Sequence, residues 1–168
     1  MIKTPLKKVN KTYQTVFMMW GLMLSVYSAL TVFVFPLYND TALLIYLISL
    51  FVATFFAHMC AMCRDPGYLE PPTNVEFMAM LEHFDPVLLC PECMVIRTDR
   101  SKHCSYCNRC VERFDHHCPW INNCIGTGNH GYFAVFIVMM YTLLISTISV
   151  TFANLNCYEN AVPPANQP

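Results

Sequence analysis

Three long stretches of this 168-residue chain carry no Asp, Glu, Lys or Arg: residues 12–39, 41–63 and 116–158. Within them lie three runs long enough to cross a bilayer: 16–38, "VFMMWGLMLSVYSALTVFVFPLY"; 41–62, "TALLIYLISLFVATFFAHMCAM"; and 132–152, "YFAVFIVMMYTLLISTISVTF". About 20 residues of helix span a hydrocarbon core of roughly 30 Å. As buried core helices of a soluble protein, three such runs would leave too few polar residues to make a surface. Charged residues are only 12% of the chain, against about 25% in an average soluble protein. The sequence predicts an α-helical integral membrane protein with three transmembrane helices. The first run is too long for the h-region of a signal peptide, and no small-residue cleavage site follows it, so it reads as a retained anchor.

The basic residues orient the chain. Lys3, Lys7, Lys8 and Lys11 precede the first span, and Arg64, Arg97, Arg100, Lys102, Arg109 and Arg113 lie between the second and third. The two-to-three-residue link between the first two spans and the tail after Phe152 have none. By the positive-inside rule, residues 1–15 and 64–131 face the cytosol and residues 153–168 form a lumenal or extracellular tail, expected to be irregular. A net charge of −1 supplies no field for a nucleic-acid partner. "RDPGYLEPP" opens the middle segment with turn chemistry, and "TNVEFMAMLEHF" reads as a short amphipathic helix. From Cys90 onward neither a helical nor a strand period survives, and few apolar side chains are available for a core.

Metal ligands can take the place of that core. Residues 90–124 hold seven of the ten cysteines and three of the six histidines. They run Cys90-x-x-Cys93, His103-Cys104-x-x-Cys107-x-x-Cys110, His116-His117-Cys118 and Cys124. Cys-x-x-Cys turns present two thiolates to one ion, and a structural zinc takes four ligands. Two sites need eight of the ten candidates, leaving two. If Cys124 completes a site, the triplet His116-His117-Cys118 gives one ligand, and spacing alone does not say which. A leftover thiol and imidazole would be chemically useful, because an imidazole raises the thiolate fraction of a nearby cysteine. His116 and Cys118 fit, with Asp115 able to orient the imidazole.

The run "CPECMVIRTDRSKHCSYCNRCVERFDHHCPWINNCIGTGNHGYF" resembles the cysteine-rich DHHC domain of protein S-acyltransferases (palmitoyltransferases), and Asp65-Pro66-Gly67 matches that family's Asp-Pro-Gly motif. The resemblance implies an otherwise irregular cytosolic domain (90–131) with two structural Zn2+ ions, one on Cys90, Cys93, His103 and Cys110, the other on Cys104, Cys107, His117 and Cys124. Asp115, His116 and Cys118 are then the catalytic group. An acyl group, typically palmitoyl, would pass from acyl-CoA to Cys118 and on to cytosolic cysteines of substrate proteins near the membrane. Trp120 and Phe133 match positions at the mouth of the acyl cavity, and Arg97 and Arg100 are candidates to meet CoA phosphates. The implied setting is a multi-pass protein of the endoplasmic reticulum, Golgi or plasma membrane, in contact with bilayer lipid and able to form homo- or hetero-oligomers. The sequence departs from the family pattern at Thr98, where Pro is usual, and by lacking a fourth span and the Thr-Thr-x-Glu motif. Read as a chain truncated after its third span, it carries a second expectation: a catalytically weak membrane adaptor or regulator of a full-length enzyme.

Overall fold

The computed structural model describes residues 13–29, 32, 40–72 and 77–161. Three helices carry the apolar runs: α1 (Gln14–Ala29), α2 (Thr41–Cys63) and α4 (His130–Ala161). A short helix, α3 (Phe77–His83), and a 3-10 turn (Pro86–Leu88) lead into six strands of two or three residues. These are β1 (Leu89–Cys90), β2 (Val95–Ile96), β3 (Lys102–Cys104), β4 (Arg109–Val111), β5 (His117–Cys118) and β6 (Asn123–Cys124).

Two helices, Thr41–Cys63 and His130–Ala153, are long and apolar enough to cross a membrane. Of the first expected span, 16–38, the part within α1 is helical; residues 30–31 and 33–39 lie outside the described residues. Local chemistry sets the bounds of α2. Asp40 caps its start by accepting from the backbone N–H of Ala42 (3.0 Å) and Leu43 (3.2 Å), satisfying donors that a helix N-terminus leaves orphaned. Pro66 ends it, since the residue before a proline is pushed out of the helical region.

Helix α4 continues through Ala161, so the expectation of an irregular tail from Ala153 does not hold over residues 153–161. The polarity of "NLNCYEN" suggests a tail, but polarity does not stop a helix. The first prolines, Pro163 and Pro164, come later. Hydroxyls within the apolar helices turn back on their own backbone, as in Thr142 to Val138 O (2.9 Å) and Thr151 to Thr147 O (2.9 Å). A polar side chain in hydrocarbon needs such a partner.

Helices α2 and α4 pack through Thr54, His58, Ala61, Phe136 and Leu143, all buried. Trp20 of α1 meets Phe55 edge-on at 5.0 Å. Large apolar side chains such as Ile45, Val138 and Ile145 point outward and are exposed. That pattern suits a lipid surround and would be costly in water.

The cysteine-rich segment is not irregular. It is three antiparallel hairpins, β1–β2, β3–β4 and β5–β6. Their registers are equivalent: Cys90 pairs with Val95, Cys104 with Arg109, and Cys118 with Asn123. Each is one turn of six residues, and the three begin fourteen residues apart. In each, the fifth residue has positive φ: Met94 (55°), Asn108 (49°) and Asn122 (49°). Asn tolerates that conformation better than most residues. The segment is therefore a short structural repeat, although the sequence carries no repeat of solenoid type.

The repeat is fastened to the end of α2. Asp65 Oδ1 accepts from Gly67 N (2.7 Å) and Tyr68 N (3.0 Å), closing a turn in which Gly67 has φ +96°. Tyr68 then bridges to Val111 of β4. Gly126 lies so close to the Pro66 carbonyl and Val111 that a Cβ would collide with both.

Candidate metal clusters and catalytic turn

The hairpins place their ligands in staggered pairs. Cys90, Cys93, His103 and Cys110 converge, with ligand atoms within 4.8 Å of one another; so do Cys104, Cys107, His117 and Cys124. In each cluster two cysteines come from the turn of one hairpin, and a His and a Cys from paired positions of the next. His103 pairs with Cys110, and His117 with Cys124. Paired residues put their side chains on the same face of the ladder, which is why one hairpin can offer both to one ion.

The clusters are compatible with two zinc ions. His103 Nδ1 lies 3.6 Å from Cys90 Sγ and 3.2 Å from Cys93 Sγ. His117 Nδ1 lies 3.4 Å from Cys107 Sγ and 3.7 Å from Cys124 Sγ. Tetrahedral zinc, with Zn–S of about 2.3 Å and Zn–N of about 2.0–2.1 Å, separates neighbouring ligand atoms by roughly 3.5–3.8 Å. Glu92 Oε2 stands 2.9 Å from His103 Nε2, an outer carboxylate of the kind that orients a ligating imidazole through its far nitrogen. Tyr106 stacks on His117 at 4.8 Å.

The thiols themselves call for a cation. A hydrogen bond with Cys124 holds Cys107 down to about 4, against the opposing effect of burial. The same bond, with burial, pushes Cys124 up, and burial pushes Cys93 and Cys110 up. Crowded thiols cannot all ionise side by side; a dication removes that conflict.

Six of the seven cysteines from Cys90 to Cys124 are thus taken up, and Cys118 is the one left out. Its neighbour His117 faces the second cluster, so alternation along the strand turns Cys118 to the opposite side. There it is 5% exposed, in an apolar nest of Ala61, Ile121, Ile125 and Phe136 where the hairpin meets α2 and α4. Of the three histidines between Cys90 and Cys124, His116 is the one outside both clusters. Beyond the strand pair, Ile125 N donates to His116 O (2.8 Å) and Asp115 N to Ile125 O (2.9 Å). Phe133, which packs against the apolar cluster around Cys118, also meets the His116 ring. His116 Nδ1 lies 3.4 Å from Asp115 Oδ2, and its ring meets Phe133 edge-on at 5.5 Å. Trp120, two residues beyond the thiol, is 53% exposed.

The two arginines singled out from the sequence sit differently. The guanidinium of Arg97 donates to the Val87 carbonyl, which ties the first hairpin to the 3-10 turn. Arg100 lines a depression of about 450 Å3 beside Asp115, together with Arg113, Phe114, Thr127 and His130.

Two asparagines that residue type alone does not mark join this region together. Asn123, the strand partner of Cys118, donates through Nδ2 to Met62 O (3.1 Å) and Arg64 O (2.9 Å). Asn129 Nδ2 donates to Ala61 O (3.3 Å) and Cys124 O (2.8 Å). They satisfy carbonyls that the end of α2 leaves orphaned. The signal that could have found Asn123 is the fourteen-residue period: "HCSYCNRC" against "HCPWINNC" aligns Cys118 with Cys104 and Ile121 with Cys107.

Residues 83–161 match the family model described as DHHC palmitoyltransferase. The chain is 44% identical to Palmitoyltransferase ZDHHC3-A of Danio rerio over 62% of this chain and 34% of that protein. It is 48% identical to Palmitoyltransferase Hip14 of Drosophila melanogaster over 45% of this chain and 13% of that protein. With Palmitoyltransferase ZDHHC17 of Homo sapiens the identity is 33%, over 63% of this chain and 18% of that protein. The matched stretch thus spans about a third or less of these relatives. Residues 83–161 of this chain thus form a DHHC palmitoyltransferase-like domain.

Proposed function

We propose that this chain is a protein S-acyltransferase that carries the acyl group on Cys118. The observation that supports this most is the position of that thiol: left out of both metal clusters and set among apolar side chains at the ends of α2 and α4. In this reading Zn2+, when bound, supplies no chemistry to the reacting atoms and holds the hairpins in place.

Transfer takes two steps. His116, oriented by Asp115 at its Nδ1 side, accepts the Cys118 proton as Sγ attacks the thioester carbonyl of acyl-CoA. The C–S bond to CoA breaks and the departing thiolate takes the proton from His116. A substrate cysteine then gives its proton to His116 and attacks the acyl-Cys118 carbonyl; Cys118 leaves and is reprotonated. The acyl chain lies against Phe133, Phe136, Ile137 and Met140, which belong to or pack against the cluster that holds Cys118. Arg100, Arg113 and His130, lining the depression beside Asp115, suit the phosphates of CoA. Trp120 borders the mouth of the acyl site. Arg97, engaged by Val87, contributes by fixing the first hairpin. The basic residues between α2 and α4 support a cytosolic side for this segment, where substrates are proteins whose cysteines lie close to that membrane face.

The test is to supply an alkyne-labelled palmitoyl-CoA to the full chain in nanodiscs and measure hydroxylamine-sensitive label. Label is expected on the native chain and absent from Cys118→Ala. An unlabelled native chain, or a labelled Cys118→Ala variant, overturns the reading.

A further inference from the structure

The first two hairpin turns each contribute two thiols to a metal cluster; the third contributes none. Something else must hold the turn at residues 118–123, and the structure shows what. The Trp120 carbonyl lies 3.0 Å from His58 Nε2, inside α2. His58 Nδ1 in turn faces Trp20 Nε1 of α1 at 3.3 Å. An indole N–H only donates and a carbonyl only accepts. His58 is therefore the neutral Nε2–H tautomer, with both nitrogens satisfied. The ring is fully buried and meets Trp20 at 5.4 Å and Phe136 at 4.9 Å, both edge-on. The preceding carbonyl of the turn, Pro119 O, accepts from Thr15 Oγ1 at 2.6 Å.

A histidine within an apolar helix is costly unless it has partners, and here its hydrogen bonds go to another aromatic side chain and to the backbone two residues after Cys118. We infer that His58, locked by Trp20, is a positioning residue for the reaction: it holds the third turn as metal holds the other two, and so fixes where the Cys118 thiol meets the acyl donor. The inference rests on the S-acyl transfer reading for its kinetic consequence, but not for its structural one.

The experiment compares the native chain with His58→Leu and His58→Gln in nanodiscs. Gln can donate from its amide nitrogen near the place of Nε2. Two quantities are followed: the alkylation rate of each cysteine by iodoacetamide, resolved by peptide mass spectrometry, and kcat and KM for self-acylation from palmitoyl-CoA. In His58→Leu, Cys118 is expected to alkylate at least about threefold faster while the cluster cysteines keep the native rate, as for a local opening. The kcat should fall about tenfold or more with KM within about twofold, the pattern of a misplaced reacting atom. His58→Gln should restore both. A His58→Leu chain with native Cys118 alkylation and native kcat overturns the inference. So does faster alkylation of the cluster cysteines along with Cys118, or a defect that His58→Gln does not repair. If the native chain takes no acyl label on Cys118, the transfer reading fails, and the alkylation rates still decide the role of His58.

Discussion

The second and third hairpins have the same backbone and opposite fates. Residues 104–109 and 118–123 share strand register, turn length and a positive-φ asparagine at the fifth position. Both begin with cysteine. In the second hairpin Cys107 stands three residues on, and a third hairpin beyond it supplies His117 and Cys124. In the third hairpin Ile121 stands at the place of Cys107, and the next element of the chain is α4 instead of a fourth hairpin. Among the described residues, Cys118 thus occupies a ligand position with no other three ligands converging on it. A thiol that no metal claims, held as firmly as one that is claimed, is free to be a nucleophile.

The largest test of that comparison removes the metal. Structural zinc in small domains contributes about 10–16 kcal/mol of apparent binding energy, so stripping it with a strong chelator should unfold residues 90–124 while α2 and α4 stay helical. Limited proteolysis would report this as rapid cutting confined to the segment. Unaltered resistance would mean that packing on α2 and α4 is enough to hold the hairpins.

Asn123→Ala is a smaller break. It leaves the carbonyls of Met62 and Arg64 without the amide that satisfies them. A buried group left unpaired costs about 1–3 kcal/mol, and thermal unfolding in detergent should shift accordingly, with two zinc per chain retained.

Ile121→Cys makes the third turn resemble the second. Because no further His and Cys converge there, zinc should stay at two per chain by elemental analysis. The new pair should instead close as a disulfide under mild oxidation, cutting self-acylation by about tenfold or more, which is about 1.4 kcal/mol or more of barrier, and reductant should restore it. Three zinc ions per chain would show that the missing outer ligands are not what keeps Cys118 free. Smallest is Tyr106→Ala, which removes the ring stacked on His117 and should cost about 0.5–1.5 kcal/mol. Faster zinc exchange from the second cluster alone would reveal it.

The apolar helices were legible because charge-free runs of this length have few alternatives. The ten candidate ligands were legible from residue type. The division of labour among His116, His117 and Cys118 was not legible from ligand counting, because that method ignores strand alternation, and strands of two or three residues are too short to show a period of two. The fourteen-residue repeat carried the same information at a longer range. The partners of His58 and Asn123 could not be read, since they are backbone carbonyls brought close only by the packing of α2 against the third hairpin. The tail is helical over residues 153–161, where an irregular one was expected, because polarity alone does not terminate a helix.

The capping of α2 by Asn123 and Asn129 has a mechanical side. A helix in a bilayer adjusts its tilt when the hydrocarbon thickness changes. The last carbonyls of α2 are gripped by the residue that pairs with Cys118 across the strand, so the hairpin cannot slide against the helix end. Thinning or thickening of the membrane is therefore passed on as a displacement of the thiol itself, and lipid composition becomes a lever on where the Cys118 sulfur sits.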